Sequence, residues 1–367
     1  MIKNPYIEKT DKKLIGYYCT YLPEELFHAA NLYPFRIRAT KSETTELADV
    51  YMVRFTCSFV RCTLNLALKG GYDFLDGYAI CNSCDHTRRM YEVFDLKVFN
   101  RVDFKKFVPR FYVVLPHIIT TECFEWYQNE IIELKKRLEE CYNINILNKD
   151  IVNSIKVYNY NRNLLRKIHD QRIQDSPKIS GSEALQISIA NNSVPKEIAN
   201  QELERILEIL NDSEGIKNIS KRIMLVGSIV DNINFTKMIE DTGALIVSDF
   251  LCFGTRNFVD DVELSSDENA LEDISRRLFY KISCPRMMND HDRRLDLIKK
   301  EIKSAKIDGV ILQRINNCDL SGCDNMLLEH ELKELDVPVL NIDRESFQTD
   351  TTRLQTRIEA FLEIIKK

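Results

Sequence analysis

Residues 76–94 read DGYAICNSCDHTRRMYEVF, which is a short apolar run, a polar break, Cys84 and then a helix-like segment. The apolar run predicts a buried strand, and the residues after Cys84 predict a helix. Cys84 would therefore lie at the carboxyl end of a strand, where ligands bind in open α/β sheets. Residues 308–319 repeat this order as DGVILQRINNCD, with Cys318 in the equivalent place. Two thiols placed alike in two related halves indicate one centre shared between them.

Strand-like and helix-like segments alternate along both halves of the chain. Each half has the order strand, helix, strand, cysteine, strand, cysteine–aspartate, helix and strand. This order pairs Cys57 with Cys252, and Cys84 with Cys318. Alternation with helix-length crossovers predicts mostly parallel sheets of Rossmann-like topology.

The length of 367 residues favours two hydrophobic cores rather than one. Residues 121–210 are mostly helical in pattern, and the turn-rich stretch 211–215 follows them. We therefore predict an α/β protein with two Rossmann-like domains and a helical segment between them. The N-terminal domain with its helical extension would span residues 1–211, and the C-terminal domain would span residues 212–367. A stretch from residue 260 to about residue 275 is predicted to be irregular.

The overall composition is that of an ordinary globular protein, with 44% hydrophobic and 29% charged residues. A net charge of -5 and the lack of a Lys/Arg cluster argue against nucleic-acid binding. No apolar run approaches the ~20 residues that span a bilayer, and the N-terminus lacks the apolar core of an export signal. We expect a cytoplasmic protein that binds neither nucleic acid nor membrane.

Cysteine is the unusual feature of the composition, because the chain contains eleven. The number is odd, the chain is long and no export signal is present, so a disulfide scaffold is not expected. Free cysteines are commonly buried, and we interpret Cys123 and Cys141, within a predicted helix over 121–142, in that way. The cysteines at loop edges need a separate explanation.

Four interpretations of those thiols stay open. Zinc could bind Cys81 and Cys84, but the second close pair, Cys57 and Cys62, would lie along one helix. A thioredoxin-like dithiol at Cys81 and Cys84 would leave Cys252 unexplained. All eleven thiols could be packing residues. Finally, thiolates from several loops could hold an iron–sulfur cluster, for which soft sulfur ligands are suited.

Seven segments, taken in order, carry a resemblance to a known family. They are 16–30 (GYYCTYLPEELFHAA), 82–91 (NSCDHTRRMY), 249–254 (DFLCFG), 284–285 (CP), 308–311 (DGVI), 318–319 (CD) and 355–362 (QTRIEAFL). From about residue 13 to the C-terminus this order resembles the 2-hydroxyacyl-CoA dehydratase and benzoyl-CoA reductase family. The resemblance depends on the order of the motifs, since no single motif is specific.

The resemblance implies a [4Fe-4S] cluster in each subunit, held by cysteines at strand ends. The positions that match the family's ligand motifs are Cys84, Cys252 and Cys318, which are our predicted cofactor-binding and metal-ligating residues. Three thiolates would leave one iron with a free coordination position for substrate or water.

Further thiols near the predicted site leave the size of the cluster open. Cys57 could be a fourth ligand, which would close the cluster and make the chain an electron-relay subunit. Extra thiols could instead serve a double-cubane cluster, as in some homodimeric relatives. The additional candidates are Cys81, Cys284 and Cys323, with Cys62 also nearby.

The resemblance also implies an activity, that of the iron–sulfur subunit of an acyl-CoA dehydratase or reductase. One low-potential electron would produce a ketyl radical on a 2-hydroxyacyl-CoA, which then loses its hydroxyl group, or would enter an aromatic ring. A separate ATP-hydrolysing iron–sulfur activator would supply that electron, consistent with the lack of a Walker A sequence here. The implied partners are this activator, the acyl-CoA substrate, and a related second subunit or a second copy.

Two further residues are predicted to be catalytic. His86, two residues after Cys84, is a candidate donor to a cluster sulfur or to substrate, with helix capping as the alternative. Ser58, at a predicted helix start, is a candidate for a hydrogen bond to substrate, and capping is again the alternative.

Overall fold

The structure, a computed structural model, describes residues 4–39, 42–101, 104, 106–347 and 351–365. Its strands form two separate four-stranded sheets in which every pair of neighbours is parallel. The first sheet contains β1 (Leu14–Tyr17), β2 (Tyr33–Arg36), β3 (Gly77–Cys81) and β4 (Arg110–Val113). The second contains β5 (Lys221–Gly227), β6 (Ala244–Phe250), β7 (Gly309–Ile315) and β8 (Val339–Arg344). The predicted α/β class with two Rossmann-like sheets is confirmed.

Both sheets have the same strand order, β2-β1-β3-β4 in the first and β6-β5-β7-β8 in the second. In each sheet the second strand in sequence lies on one side of the first strand, and the third and fourth lie on the other side. The order of strands across the sheet therefore reverses between β1 and β3, and between β5 and β7. In open parallel sheets this switch point opens a crevice at the carboxyl ends of the strands. Each sheet thus provides one such crevice.

Helices connect the strands and cover the sheets. In the first half they are α1 (Pro5–Glu8), α2 (Glu24–Ala29), α3 (Ser58–Leu68) and α4 (Asp85–Val93), with a π-helical turn at Phe94–Val98. The middle of the chain forms α5 (Thr121–Tyr142), α6 (Asn148–Ile173), α7 (Gly181–Asn191) and α8 (Lys196–Asp212). The second half has α9 (Ile233–Glu240), α10 (Ala270–Tyr280), α11 (His291–Ser304), α12 (Asp319–Glu334) and α13 (Thr351–Ile364). Short 3-10 turns lie at Ala48–Val50, Thr255–Asn257 and Met288–Asp290.

Helix α5 illustrates how local sequence sets the ends of an element. Its N-cap Thr120 accepts a hydrogen bond from the Cys123 N–H at 3.2 Å, and Asn143 after its end has φ 53°. Such caps satisfy terminal backbone groups that the helix leaves unpaired. A buried stripe with helical spacing faces inward and consists of Phe124, Tyr127, Ile131, Leu134 and Leu138. The helix predicted over 121–142 is confirmed.

The middle helices pack on both halves of the molecule. Helix α5 contacts β4 and α10, whereas α6 contacts α2 and β6, and α7 contacts α9 and β6. The predicted domain boundary at residues 211 and 212 falls at the end of α8, between the two sheets in sequence. Because the middle helices contact both sheets, their assignment to the first domain stays a prediction.

Two local predictions are wrong. The stretch predicted to be irregular as far as residue 275 already contains the start of α10 at Ala270. The acidic residues of that region obscure a helical apolar stripe formed by Ile274 and Leu278, which is buried in the first hydrophobic cluster. Cys141, interpreted as a buried residue, is exposed in the last turn of α5, although it follows Leu134 by seven residues and so continues the spacing of the apolar stripe.

Hydrophobic clusters lie on both faces of each sheet, as buried parallel strands require. Ile15 and Ala79 belong to a different cluster from Leu14 and Tyr78, because successive side chains of a strand point to opposite faces. Within the described ranges, no helix combines the length and apolar character needed to cross a membrane.

Candidate functional site

A cavity of about 140 Å³ is lined by residues that follow the strand ends of both sheets. Tyr18 follows β1 and Arg36 ends β2, while Ser228 follows β5 and Ile315 ends β7. Six of the eleven cysteines contribute to its wall, namely Cys19, Cys57, Cys84, Cys252, Cys284 and Cys318. The three predicted ligands, Cys84, Cys252 and Cys318, are therefore brought to one cavity. Their role as ligands stays a prediction.

Three of the six thiols precede helices at the N-cap position. Cys84 caps α4, Cys318 caps α12 and Cys57 caps α3. The Sγ of Cys84 accepts a hydrogen bond from the Thr87 N–H at 3.4 Å and lies 3.1 Å from the Thr87 hydroxyl. The first turn of a helix presents unpaired N–H groups and a positive dipole end, both of which favour a negatively charged sulfur.

Without a metal, burial keeps these three thiols protonated. Burial raises the pKa of Cys84 to about 11, against hydrogen bonds from Thr87 that lower it. Burial also raises the pKa of Cys318, and it raises that of Cys57 well above the ordinary value, with a further increase from neighbouring Cys84. Metal binding to these sulfurs would therefore release protons.

The other three thiols lie on turns rather than at helix starts. Cys19 follows β1, Cys252 follows β6, and Cys284 precedes a proline with its N–H bonded to the Tyr21 hydroxyl at 3.3 Å. A hydrogen bond with the buried Cys81 thiol lowers the pKa of Cys19. Cys81 belongs to the core of the first sheet and does not line the cavity.

Arg286 connects the two halves next to the cavity-lining residues Ser83 and Pro285. It is fully buried and donates hydrogen bonds to the carbonyl oxygens of Asn82 (3.1 Å), Ser83 (3.1 Å), Leu115 (2.9 Å) and Pro116 (2.5 Å). These carbonyls belong to the loops that follow β3 and β4. Arg286 therefore fixes the turn before Cys84 relative to the segment that carries Cys284.

Glycine allows a close approach of β5 and β7 at the cavity wall. Gly227 ends β5 with φ +128°, and a Cβ there would lie 1.9 Å from the Gln313 carbonyl oxygen. Only glycine adopts this backbone conformation without strain and leaves that space free. The neighbouring Ser228 hydroxyl accepts a hydrogen bond from the Ile315 N–H at 2.8 Å, which also fixes this end of β7.

The two residues predicted to be catalytic lie outside the cavity lining. The Nδ1 of His86, on α4, accepts a hydrogen bond at 3.3 Å from the N–H of Cys57, the N-cap residue of α3. Burial lowers the pKa of His86, which favours the neutral imidazole that this bond requires. The Ser58 hydroxyl is fully buried and accepts a hydrogen bond from the Ser346 N–H at 2.8 Å. Each side chain thus has a structural partner, and the geometry offers no support for catalysis by either.

The donor set of the cavity fits an iron–sulfur cluster better than zinc. Its described lining contains six thiols and two arginines but neither a carboxylate nor an imidazole. In the part of the chain that the structure describes, no three His, Cys, Asp or Glu side chains converge to hold a single metal ion. Cluster thiolates bind different irons and so surround a volume rather than a point.

Sequence reasoning missed several residues of this site. Cys19 could have been found, because it follows β1 as Cys84 follows β3. Arg36 and Arg256 carry no sequence signal, since only the packing of the two halves brings them to the cavity. The remaining candidates, Cys62 and Cys323, do not line the cavity, and all eleven cysteines are free thiols.

Comparison with known proteins gives consistent relatives over nearly the whole chain. The chain is 23% identical to the beta subunit of (R)-phenyllactyl-CoA dehydratase from Clostridium sporogenes, over 100% of this chain and 96% of that protein. It is 24% identical to the beta subunit of (R)-2-hydroxyglutaryl-CoA dehydratase from Acidaminococcus fermentans, covering 96% and 92% of the two chains. It is also 24% identical to a benzoyl-CoA reductase subunit from Thauera aromatica, covering 90% and 85%.

The family model described as 2-hydroxyglutaryl-CoA dehydratase, D-component, matches residues 19–365. This range includes the second sheet, the strands β2, β3 and β4 of the first sheet, the middle helices and all six cavity thiols. The match confirms the resemblance found in the sequence. This chain therefore belongs to the 2-hydroxyglutaryl-CoA dehydratase D-component family.

Proposed function

We propose that this chain is the iron–sulfur subunit of a cytoplasmic enzyme that dehydrates a 2-hydroxyacyl-CoA or reduces an aromatic acyl-CoA. The observation that carries the proposal is the single cavity lined by Cys84, Cys252 and Cys318 from both halves of the chain. Soft thiolate ligands without competing carboxylates are the donor set of an iron–sulfur cluster. The relatives named above, which are dehydratase and reductase subunits, support the same activity.

In this proposal Cys84, Cys252 and Cys318 hold a [4Fe-4S] cluster. When bound, the cluster supplies a single low-potential electron to the acyl group. The chain's own residues position the ligands: the first turn of α4 directs the Thr87 N–H at the Cys84 sulfur, Cys318 lies at the positive dipole end of α12, and Arg286 fixes the Cys84 turn. Apolar neighbours such as Phe59 and Val60 exclude water from the wall.

The proposed partners follow from the relatives, which are named as subunits. We propose that this chain acts with a related second subunit, or with a second copy of itself, on an acyl-CoA substrate. An ATP-dependent iron–sulfur activator would deliver the electron, because the sequence contains no Walker A loop of its own.

Anaerobic purification with full iron supply tests this proposal. We expect a brown protein with about four irons per chain. Replacing Cys84, Cys252 or Cys318 by alanine should remove most of the visible absorbance and the iron. Cys141→Ala is the matched control, since this thiol is exposed on α5 and should leave the iron content unchanged. A colourless, iron-free wild-type protein would refute the proposal.

A second candidate is a homodimeric reductase with a double-cubane cluster, or else an electron-relay subunit, in either case without acyl-CoA turnover. It is favoured by the count of thiols in the cavity wall, six instead of three. Three of them are helix N-caps, and the other three, Cys19, Cys252 and Cys284, lie on turns. This arrangement would suit two cubanes with three thiolates each.

Iron analysis separates the two candidates. The second predicts about eight irons per chain, with iron lost on changing Cys19, Cys57 or Cys284 to alanine. The first predicts that these three variants keep about four irons. Turnover of an acyl-CoA by this chain with only its activator present would exclude a relay role.

A further inference from the structure

Two arginines are buried in the wall of the thiol-lined cavity. Arg36 is 1% exposed at the end of β2, and Arg256 is 7% exposed in the 3-10 turn Thr255–Asn257. Arg36 belongs to the half of the chain that forms the first sheet, and Arg256 belongs to the half that forms the second.

Both arginines lie beside the turn that carries Cys252. Arg36 donates to the Cys252 carbonyl oxygen at 2.8 Å, and its guanidinium lies 3.5 Å from the ring centre of Phe253. Arg256 follows Cys252 by four residues and donates to the Ser283 carbonyl oxygen at 3.4 Å, next to Cys284. Backbone and aromatic contacts therefore hold both cations at the Cys252 and Cys284 end of the cavity.

Neither arginine has a carboxylate partner among the residues that the structure describes. The Nε of each is buried and has no hydrogen-bond partner in those ranges. Other buried arginines of this chain do have buried carboxylates: Arg162 pairs with Glu25 at 2.7 Å, Arg172 with Asp249 at 2.6 Å, and Arg294 with Asp324 at 2.6 Å. Arg286 also lacks a carboxylate partner among the described residues, but its Nε donates to the Ser83 carbonyl oxygen. The two cavity arginines differ from it because each combines the lack of an acid with a buried Nε that has no hydrogen-bond partner in the described ranges.

Two buried cations without a counter-ion are unfavourable, because charges lose hydration on burial. The groups that could compensate them here are the cavity thiols, which lose their protons and become anions on binding iron. A thiolate-ligated cluster is a net anion, and each electron it accepts adds one negative charge. A nearby fixed cation therefore stabilises the reduced form more than the oxidised form.

We propose that Arg36 and Arg256 are the counter-charges of the thiolate-bound cluster and raise its one-electron reduction potential. This inference rests on the proposed function, because it requires a cluster in the cavity. The two arginines are positioning residues and have no bond to iron. They act on a cluster of either size, since both candidate clusters use Cys252.

The test is an anaerobic redox titration of the cluster followed by electron paramagnetic resonance, with a chemical one-electron reductant such as titanium(III) citrate. Arg36→Gln and Arg256→Gln should each reduce the ratio of reduced to oxidised cluster at least tenfold at a fixed potential. For a one-electron couple that is 59 mV more negative. Arg36→Lys and Arg256→Lys keep the charge and should restore most of the wild-type value.

Arg205→Gln is the matched control, because Arg205 is exposed on α8 and pairs with the exposed Glu202. It should titrate like the wild type. Glutamine variants that hold the cluster and also titrate like the wild type would overturn the inference. If the glutamine variants fold but lose iron, recovery of iron in the lysine variants supports a role of charge, and no recovery overturns it. A wild-type protein without iron would instead refute the proposed function itself.

Discussion

At the scale of single residues, Arg286 makes contacts that no other side chain could replace. Its guanidinium is fully buried and donates to four backbone carbonyls in two loops. A guanidinium group has five N–H donors in one plane, so a single arginine can donate to several carbonyl oxygens at once. The same contacts position the turn before Cys84.

We expect Arg286→Met to lower the free energy of unfolding by about 3 kcal/mol, because several buried carbonyls lose their donors. Urea denaturation followed by circular dichroism measures the change. Arg205→Met is the control, and a change within about 0.5 kcal/mol is expected for this exposed position. An Arg286→Met protein as stable as the control would show that water replaces the lost donors.

His291 makes a second set of residue-scale contacts, between α11 and α12. Its Nδ1 lies 2.9 Å from Asp324 and its Nε2 lies 2.8 Å from Glu331. Arg294 is the other charged group at Asp324, at 2.6 Å. Despite the opposing effect of burial, these two carboxylates raise the pKa of His291 above its ordinary value.

Because the pKa of His291 is higher in the folded state, protonated His291 stabilises the folded protein. This stabilisation is fully present below the unfolded-state pKa of about 6.5 and is lost as the pH rises through the higher folded-state pKa. His291→Gln should therefore lower the free energy of unfolding most at pH 6, by about 1.5–3 kcal/mol, and progressively less at alkaline pH. Urea midpoints of both proteins from pH 6 to 9 measure the difference. A difference that stays constant over this range would contradict protonation of His291 in the folded state.

At the scale of elements, the packing contact between α7 and β6 depends on a glycine. Gly181 begins α7, and a Cβ there would lie 2.6 Å from the Ile246 carbonyl oxygen. The helix also begins with a capping box, in which Ser180 and Glu183 bond each other's backbone N–H groups. The cap defines the start of the helix, and the glycine lets that start contact the strand.

Gly181→Ala should lower the free energy of unfolding by about 1–3 kcal/mol, because the added methyl group overlaps with β6. The measurement is again urea denaturation. Gln186→Ala, at an exposed position of the same helix, should stay within about 0.5 kcal/mol of the wild type. A stabilised Gly181→Ala protein would mean that helix propensity outweighs the contact with the sheet.

At the scale of the whole molecule, hydrogen bonds between distant segments hold the two halves around the cavity. Ser58 at the start of α3 accepts from the Ser346 N–H after β8, and Asp231 accepts from the Ala39 N–H at 2.7 Å. Lys281 donates to the Thr20 carbonyl oxygen. These bonds join residues from the two halves of the chain, so the shape of the thiol-lined cavity depends on how the halves are placed relative to each other.

Ser58→Ala tests this structural role against the predicted catalytic one. We expect a loss of about 1–2 kcal/mol in stability, because the Ser346 N–H loses its acceptor, with unchanged iron content per chain. Ser346→Ala is the control and should be nearly neutral, since the bond uses its backbone. A Ser58→Ala protein of wild-type stability that loses turnover would restore the catalytic interpretation.

Much of the fold could be predicted because its signals are local. Apolar runs and helical periodicity depend on neighbouring residues, so strands such as β5 and helices such as α5 follow from them. The prediction failed at α10, where acidic residues obscure a short apolar stripe. It also misjudged Cys141, which continues the helical spacing of the apolar stripe but is exposed in the last turn of α5, because burial there depends on what packs against that turn and not on the spacing.

The sequence by itself determined the two parallel sheets, the placement of Cys84 and Cys318 after equivalent strands, and the family. Only the tertiary structure decided that six thiols line one cavity, that Ser58 and His86 have structural partners, and that Arg36 and Arg256 face the same cavity with no acid beside them among the described residues. The physical reason is the distance along the chain. Contacts such as Arg36 with Cys252 join residues more than two hundred positions apart, so they depend on how the halves pack and leave no local pattern.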